Sequence, residues 1–202
     1  DIVFGDWSSD VCSSDLTNDM GIETETTKSA KNNISKIQTL FAFNQINKGL
    51  YDSAISNLKK ILDMSLEMYG NDSEEYIEAK KNLIRGYNSK GKTLLEKVRY
   101  DEAITAFEKS VELGKDGKDY FARYVNDSID GIIKGYYQKS CAYEEYGKYE
   151  DAIVNLEKAL KIATKYQVNR IRTNYVTDKL FLILKSQYET ASRNYNSQKM
   201  KE

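Results

Sequence analysis

The sequence contains neither proline nor histidine in its 202 residues. Without proline, no position lacks a backbone donor or clashes with the preceding helical turn, so long helices are unobstructed. Without histidine, the chain has no imidazole base, no Ser-His or Cys-His nucleophile pair and no histidine metal ligand. These absences exclude the commonest routes to hydrolysis and to metal-assisted catalysis. We therefore expect no catalytic residue, no metal and no cofactor.

Cysteine and tryptophan are scarce, with two cysteines and one tryptophan. Trp7 and Cys12 both lie in the Ser/Asp-rich string DWSSDVCSSDL, whose composition differs from the rest of the chain. This string resembles the translation of a short-read sequencing adapter, so we expect residues 1–16 to be an artefact and native sequence to start near Thr17. Cys141 then remains alone, and a single cysteine forms no internal disulfide.

The charges nearly balance, with 30 basic and 31 acidic residues. Removing the four acidic residues among the first sixteen leaves 27, a small positive surplus that is too weak for a nucleic-acid footprint. The longest apolar run, residues 180–184, falls far short of the roughly 20 residues of a membrane span. We expect no nucleic-acid partner and no membrane span here. We also expect the native N-terminus to be missing, which leaves the compartment open, with the cytoplasm preferred.

The strongest pattern is an internal repeat with a period of 49 residues. The segments GLYDSAI, VRYDEAI and GKYEDAI begin at Gly49, Val98 and Gly147. A second block repeats with the same period, since LIRGY begins at Leu83 and IIKGY at Ile132. Two separate blocks that share one period predict a tandem array of similar structural units.

Each segment of the first block suits a turn followed by the start of a helix. Glycine favours the left-handed conformation that ends a helix, and the acidic residues after the tyrosine suit a helix N-terminus. The apolar residues that follow recur at helical spacing and form one stripe. The predicted packing residues of the three units are Tyr51, Ala54 and Leu58, then Tyr100, Ala103 and Phe107, then Tyr149, Ala152 and Leu156. Gly86 and Gly135, at equivalent places inside helices, are expected to permit close packing.

The first block resembles the tetratricopeptide family, whose motif is a Gly-x-Tyr-x-x-Ala turn followed by a large apolar residue four positions later. Val98 departs from it, because valine replaces the turn glycine. The resemblance covers roughly residues 34–164 and implies an all-α solenoid of antiparallel helix pairs, with a right-handed stack. Standard units have about 34 residues, so the longer period implies lengthened helices, similar to the kinesin-light-chain type. The segment from Leu66 to Asp72 resembles the inter-helix segment of that type.

The expected organisation follows from this resemblance. Residues 17–31 are polar and are expected to be a flexible lead-in. Residues 32–202 are expected to form the helical repeat domain. Its last segment, from Val168 to about Tyr195, keeps helical spacing while the 49-residue match fades, and we expect it to be a capping helix.

In this family the first helix of each unit lines a concave groove that holds a peptide or a partner helix. Alignment to the family gives the expected groove residues Arg85, Asn88, Ser89, Lys92, Lys134, Tyr137, Gln138, Cys141 and Glu144. The resemblance therefore implies a scaffold that binds a protein or peptide and is not an enzyme. The alternative is a regulatory or sensory domain of a larger protein whose N-terminal effector or membrane anchor is missing.

Other interpretations fit less well. The family's carboxylate clamp for chaperone C-termini is matched by Lys134, but Ser89 and Gln138 stand where Asn and Arg are wanted. Cys141 has no histidine to activate it, so we expect it to pack. Most of the 16 tyrosines sit at repeat-equivalent or helical-face positions, which favours packing over base stacking. The partner's identity and the oligomeric state stay open, and apolar surface at either end of the stack would support self-association.

Overall fold

The structure is a computed structural model that describes residues 25–115 and 119–199. These residues form seven α-helices and one short 3-10 helix, Arg170–Arg172, without a strand. The α-helices are α1 (Glu25–Asn47), α2 (Tyr51–Tyr69), α3 (Glu74–Glu96), α4 (Tyr100–Gly114), α5 (Asp119–Glu145), α6 (Tyr149–Lys165) and α7 (Asn174–Lys199). The predicted all-α class is confirmed.

Two boundaries differ from the sequence-based expectation. The suspected adapter at 1–16 lies outside the described residues, but residues 25–31, expected in the lead-in, belong to α1. The segment between α2 and α3 is confined to residues 70–73, because α2 continues to Tyr69. Ser73 then starts α3 by accepting a hydrogen bond from the amide of Tyr76 at 3.1 Å.

Consecutive helices pack against each other, and α7 packs on α6 at the end of the stack. Among the first helices of the pairs, α3 also contacts both α1 and α5. Within the described chain, no comparable contact joins α2 to α4 or α4 to α6. Because the first helices close up while the second helices spread apart, the stack is curved, as expected of an α-solenoid. Its concave face is formed by α1, α3 and α5.

The three turns between paired helices share one geometry. Gly49, Val98 and Gly147 all adopt a left-handed conformation, with φ of +80°, +62° and +70°. In the last of these turns, the Gly147 amide donates to the Glu144 carbonyl at 2.8 Å and the next amide donates to the Tyr143 carbonyl at 2.9 Å. The same hydrogen bonds occur in the other two turns. This arrangement satisfies carbonyls at the end of the first helix and turns the chain back along it.

Contacts between units recur with the period of the sequence. Lys90 Nζ lies 2.9 Å from Asp52 Oδ1, and Lys139 Nζ lies 2.5 Å from Asp101 Oδ1. The hydrogen bond from Lys90 holds the pKa of the Asp52 carboxyl below its usual value. Such exposed pairs add little free energy. They do join the first helix of one unit to the start of the second helix of the unit before it.

The buried apolar side chains form two clusters that meet along α3. One cluster joins α1, α2 and the first part of α3, up to Tyr87. The other begins at Leu94 and Leu95, near the end of α3, and continues through α4, α5, α6 and α7. Both clusters lie between the helices of the stack.

Close approach of the helices depends on glycine. Phe107 of α4 is fully buried, and a Cβ added at Gly91 or Gly131 would lie 2.7 or 2.6 Å from its ring. These two glycines belong to α3 and α5, so one aromatic ring is held between two first helices. Gly86 and Gly135 likewise face Leu58 and Ile104 at 2.7 and 2.8 Å from an added Cβ, which confirms their predicted packing role.

Seven of the nine predicted packing residues are buried, whereas Tyr100 is half-buried and Tyr149 is exposed. The three alanines, Leu58, Phe107 and Leu156 are at most 1% exposed, whereas Tyr149 is 39% exposed. The ammonium group of Lys97 covers the ring of the equivalent Tyr51, at 5.8 Å from its centroid. Among the described residues, no cation covers the ring of Tyr100 or Tyr149 in the same way.

Val98→Gly is expected to stabilise the protein. A β-branched residue in the left-handed region costs about 1–2 kcal/mol, part of which is offset by the greater chain entropy that glycine loses on folding. The Val98 side chain is 63% exposed, so little packing is lost. We expect the free energy of unfolding, measured with urea, to rise by about 0.5–1 kcal/mol. Val98→Ala, which keeps a Cβ, is the matched control, and its free energy of unfolding should rise less. An equal rise in both variants would show that the left-handed backbone at Val98 is not strained by a side chain.

Gly131→Ala is expected to destabilise the protein. The new methyl group overlaps the Phe107 ring, which costs more than the helix propensity that alanine gains. We expect urea denaturation to show a loss of about 1–2 kcal/mol. In the Gly131→Ala background, Phe107→Leu should cost clearly less than it does in the wild type. Additive effects of the two substitutions would show that the ring and the glycine do not constrain each other.

Candidate functional site

A cavity of about 420 Å³ opens on the concave face between α3 and α5; we call it the groove pocket. Leu95, Phe107 and Gly131 form its apolar part. Its polar residues are Lys92 and Glu96 from α3, and Asp127, Asp130, Lys134 and Gln138 from α5. The pocket therefore has an apolar floor and a polar rim that carries charges of both signs.

The structure brings three of the predicted groove residues together in this pocket: Lys92, Lys134 and Gln138. Neither lysine forms an ion pair with a described residue. The side-chain Oε1 of Gln138 is buried and accepts no hydrogen bond from the described part of the chain. A buried acceptor without a donor costs free energy, and a ligand N–H group in the pocket would remove that cost.

A row of basic side chains crosses the concave face. Lys36, Arg85 and Lys134 are exposed and stand 49 residues apart, one on each of α1, α3 and α5. The Arg85 guanidinium lies 4.8 Å from the centroid of the Phe43 ring, and its Nη1 donates to Asn82 Oδ1 at 3.1 Å. None of the three basic side chains forms an ion pair among the described residues. Lys36 and Lys134 are therefore available to a ligand, whereas Phe43 and Asn82 hold Arg85 in place.

An acidic pair lies beside this row. Glu78 and Asp127 are also 49 residues apart, and each stands seven residues before the basic residue on its own helix. At 1.5 Å per residue, the two rows are separated by about 10 Å along the helices. Asp127 and Asp130 were not among the predicted groove residues. The sequence signal that could have found Asp127 is the recurrence of an acidic residue at Glu78, one repeat period earlier.

Asn88, predicted to face the groove, is instead buried, with 6% of its surface exposed. Its Nδ2 donates to the Tyr124 carbonyl at 3.0 Å, and its Oδ1 accepts from Ser128 Oγ at 2.5 Å. Ser128 Oγ also lies 2.7 Å from Ser110 Oγ. This network joins α3, α4 and α5. Asn88 is therefore part of the interior, since its position is one residue off the exposed stripe and turns towards α5.

Tyr137 and Glu144, also predicted for the groove, contact the capping helix. The Tyr137 ring meets Tyr175 edge to face, with centroids 4.7 Å apart, and Glu144 pairs with Lys179. Burial raises the pKa of both tyrosines, and the hydrogen bond to Glu144 raises the pKa of Lys179. Cys141 is half-buried beside Tyr137. These side chains attach α7 to α5.

Ser89, another predicted groove residue, is half-buried on α3 next to the buried Asn88. Among the described residues, no three acidic or cysteine side chains are grouped as metal ligands. No helix in this part of the chain is both long and apolar enough to cross a bilayer.

Comparison with known families explains the architecture. A profile described as tetratricopeptide repeat matches residues 84–115 and 133–166, each of which runs from within a first helix through the following second helix. These two segments are therefore tetratricopeptide repeats. Tetratricopeptide repeats generally mediate protein–protein interactions, and their all-helical fold is typically a non-enzymatic scaffold. No curated protein sequence matches this chain significantly.

The matched segments also show where these tetratricopeptide helices are extended. The match leaves out residues 74–83 of α3 and residues 119–132 of α5, which are their N-terminal turns. Glu78 and Asp127 lie on these turns, whereas Arg85 and Lys134 lie inside the matched segments. The acidic pair is thus carried by the additional length of the first helices.

Asn88→Ala is expected to affect stability. The substitution removes the donor to the Tyr124 carbonyl and one of the acceptors of the Ser128 hydroxyl, which should cost about 1–3 kcal/mol in urea denaturation. Lys92→Ala is the matched control, because Lys92 is exposed on the same helix and should change stability by less than about 0.5 kcal/mol. Equal effects of the two variants would place Asn88 on the surface.

Proposed function

We propose that the chain is an interaction scaffold that binds a peptide or helix of a protein partner in the concave groove of α1, α3 and α5. The observation that carries this proposal is the groove pocket, whose Lys92 and Lys134 side chains and buried Gln138 acceptor are not used in contacts with the described residues. Uncommitted polar groups around an apolar floor are typical of a binding site.

The arrangement of charges defines the partner further. A purely acidic ligand bound to the basic row is repelled by Glu78 and Asp127. A purely basic ligand bound to this acidic pair is repelled by the basic row. A ligand that carries both charges satisfies both rows. An extended peptide rises about 3.3 Å per residue, so opposite charges roughly three residues apart match the separation between the rows.

Charge reversal in the groove is expected to abolish selective peptide binding. Peptides are first selected from a random display library on the full chain, and their affinities are then measured by fluorescence anisotropy. Lys134→Glu should weaken the selected peptides by about tenfold or more, because an acidic group of the ligand then meets a like charge. Tyr137 is unsuitable for this experiment because it packs on Tyr175.

Lys161→Glu is the matched control. Lys161 is exposed on α6, outside the concave face, and the substitution makes the same change of charge. Its affinities should stay within about twofold of the wild type. Equal losses in both variants would indicate a general effect of net charge, and peptides indifferent to Lys134→Glu would place binding on another surface.

A further inference from the structure

The capping helix α7 presents an apolar face that the stack does not cover. Val176 and Ile183 are buried against the rest of the protein, at 0% and 2% exposure. Phe181 and Leu182 lie on the opposite side of the helix, at 64% and 59% exposure. Neighbouring large apolar side chains exposed on one helix indicate an interaction surface.

Two opposite charges flank this apolar pair. Asp178 precedes it and Lys185 follows it, seven residues apart and on the same outward side of α7. The separation corresponds to about 10 Å along the helix. Neither side chain makes a hydrogen bond or ion pair with a described residue, although their neighbours on the helix do so, as in the pair between Lys179 and Glu144.

We propose that this face binds the same face of a second copy of the chain. The two α7 helices pack antiparallel, and a two-fold axis passes between Phe181 and Leu182. Asp178 then faces the partner's Lys185, and Lys185 faces the partner's Asp178, while Phe181 and Leu182 of both copies meet at the centre. A two-fold interface is self-complementary, so one pattern of charge and apolar surface serves both sides.

The distribution of charged residues distinguishes this pairing from two alternatives, α1 with α1 and α1 with α7. The first helix, α1, also exposes a stripe of apolar side chains, formed by Ile34, Ile37 and Phe41. After its first residue, however, its charged side chains are all lysines, namely Lys28, Lys31 and Lys36. Pairing α1 with α1 brings like charges together, and pairing α1 with α7 places Asp178 near lysines but leaves Lys185 beside lysines as well. Only the pairing of α7 with α7 gives reciprocal opposite charges.

The expected dimer is weak. A single pair of helices forms an interface at the small end of the range for specific complexes, so we expect dissociation in the tens-of-micromolar range. This association takes place through α7, outside the concave face. It is independent of whether the concave groove binds a peptide.

Sedimentation equilibrium of the full chain tests the proposal through a reversal of charges. Asp178→Lys and Lys185→Asp each turn two attractive contacts of the dimer into two repulsive ones, and each should weaken dimerisation by about tenfold. The double variant, Asp178→Lys with Lys185→Asp, restores the opposite pairs in exchanged positions. It should dimerise within about threefold of the wild type.

Two further variants complete the experiment, and circular dichroism verifies that every variant keeps its helices. Phe181→Glu should give a monomer at all concentrations, whereas Ile37→Asp on α1 should leave dimerisation unchanged. The proposal is overturned if the wild type remains monomeric well above the expected range, or if the double variant fails to recover. Loss of the dimer in Ile37→Asp would instead show that copies associate through α1, which also contradicts the proposal.

Discussion

The rest of the structure depends on the packing of one phenylalanine ring between two glycines. Phe107 belongs to α4, while Gly91 and Gly131 belong to α3 and α5, so the ring sets how closely these two first helices approach. The same ring forms part of the floor of the groove pocket. The width of the concave surface is therefore determined by a contact of the core, and the groove cannot be altered there without altering the packing of two units.

A hydrogen-bonded network lies at the same junction. Asn88, Ser110 and Ser128 bring polar atoms of α3, α4 and α5 within 2.5 to 2.7 Å of one another in a buried setting. An apolar interface alone tolerates sliding by a helical turn, whereas buried polar groups are satisfied in only one register. Together with the recurring lysine–aspartate pairs, the network fixes the alignment of the two rows of charge on the concave face.

The sequence period predicted the turns and the buried residues, because both repeat and both follow local rules. It did not predict which polar residues of the first helices are buried. A helical stripe identifies a face but not its edges, so Asn88 was placed in the groove although it lies inside. The contacts of Tyr137 and Glu144 with the capping helix were not predicted either, since that helix does not follow the period. Asp127 was missed although the period marks it.

The division of the core into two clusters has a consequence for cooperativity. In a linear stack, each unit is stabilised mainly by its neighbours, and local opening costs less than global unfolding. Here α3 contributes buried residues to both clusters, with Leu83 in one and Leu94 in the other, and Leu113 of α4 also packs against the first cluster. We therefore expect the pair formed by α1 and α2 to open at lower free energy than the segment from α4 to α7. Exchange of its amide hydrogens would report this opening while the pocket between α3 and α5 keeps its shape.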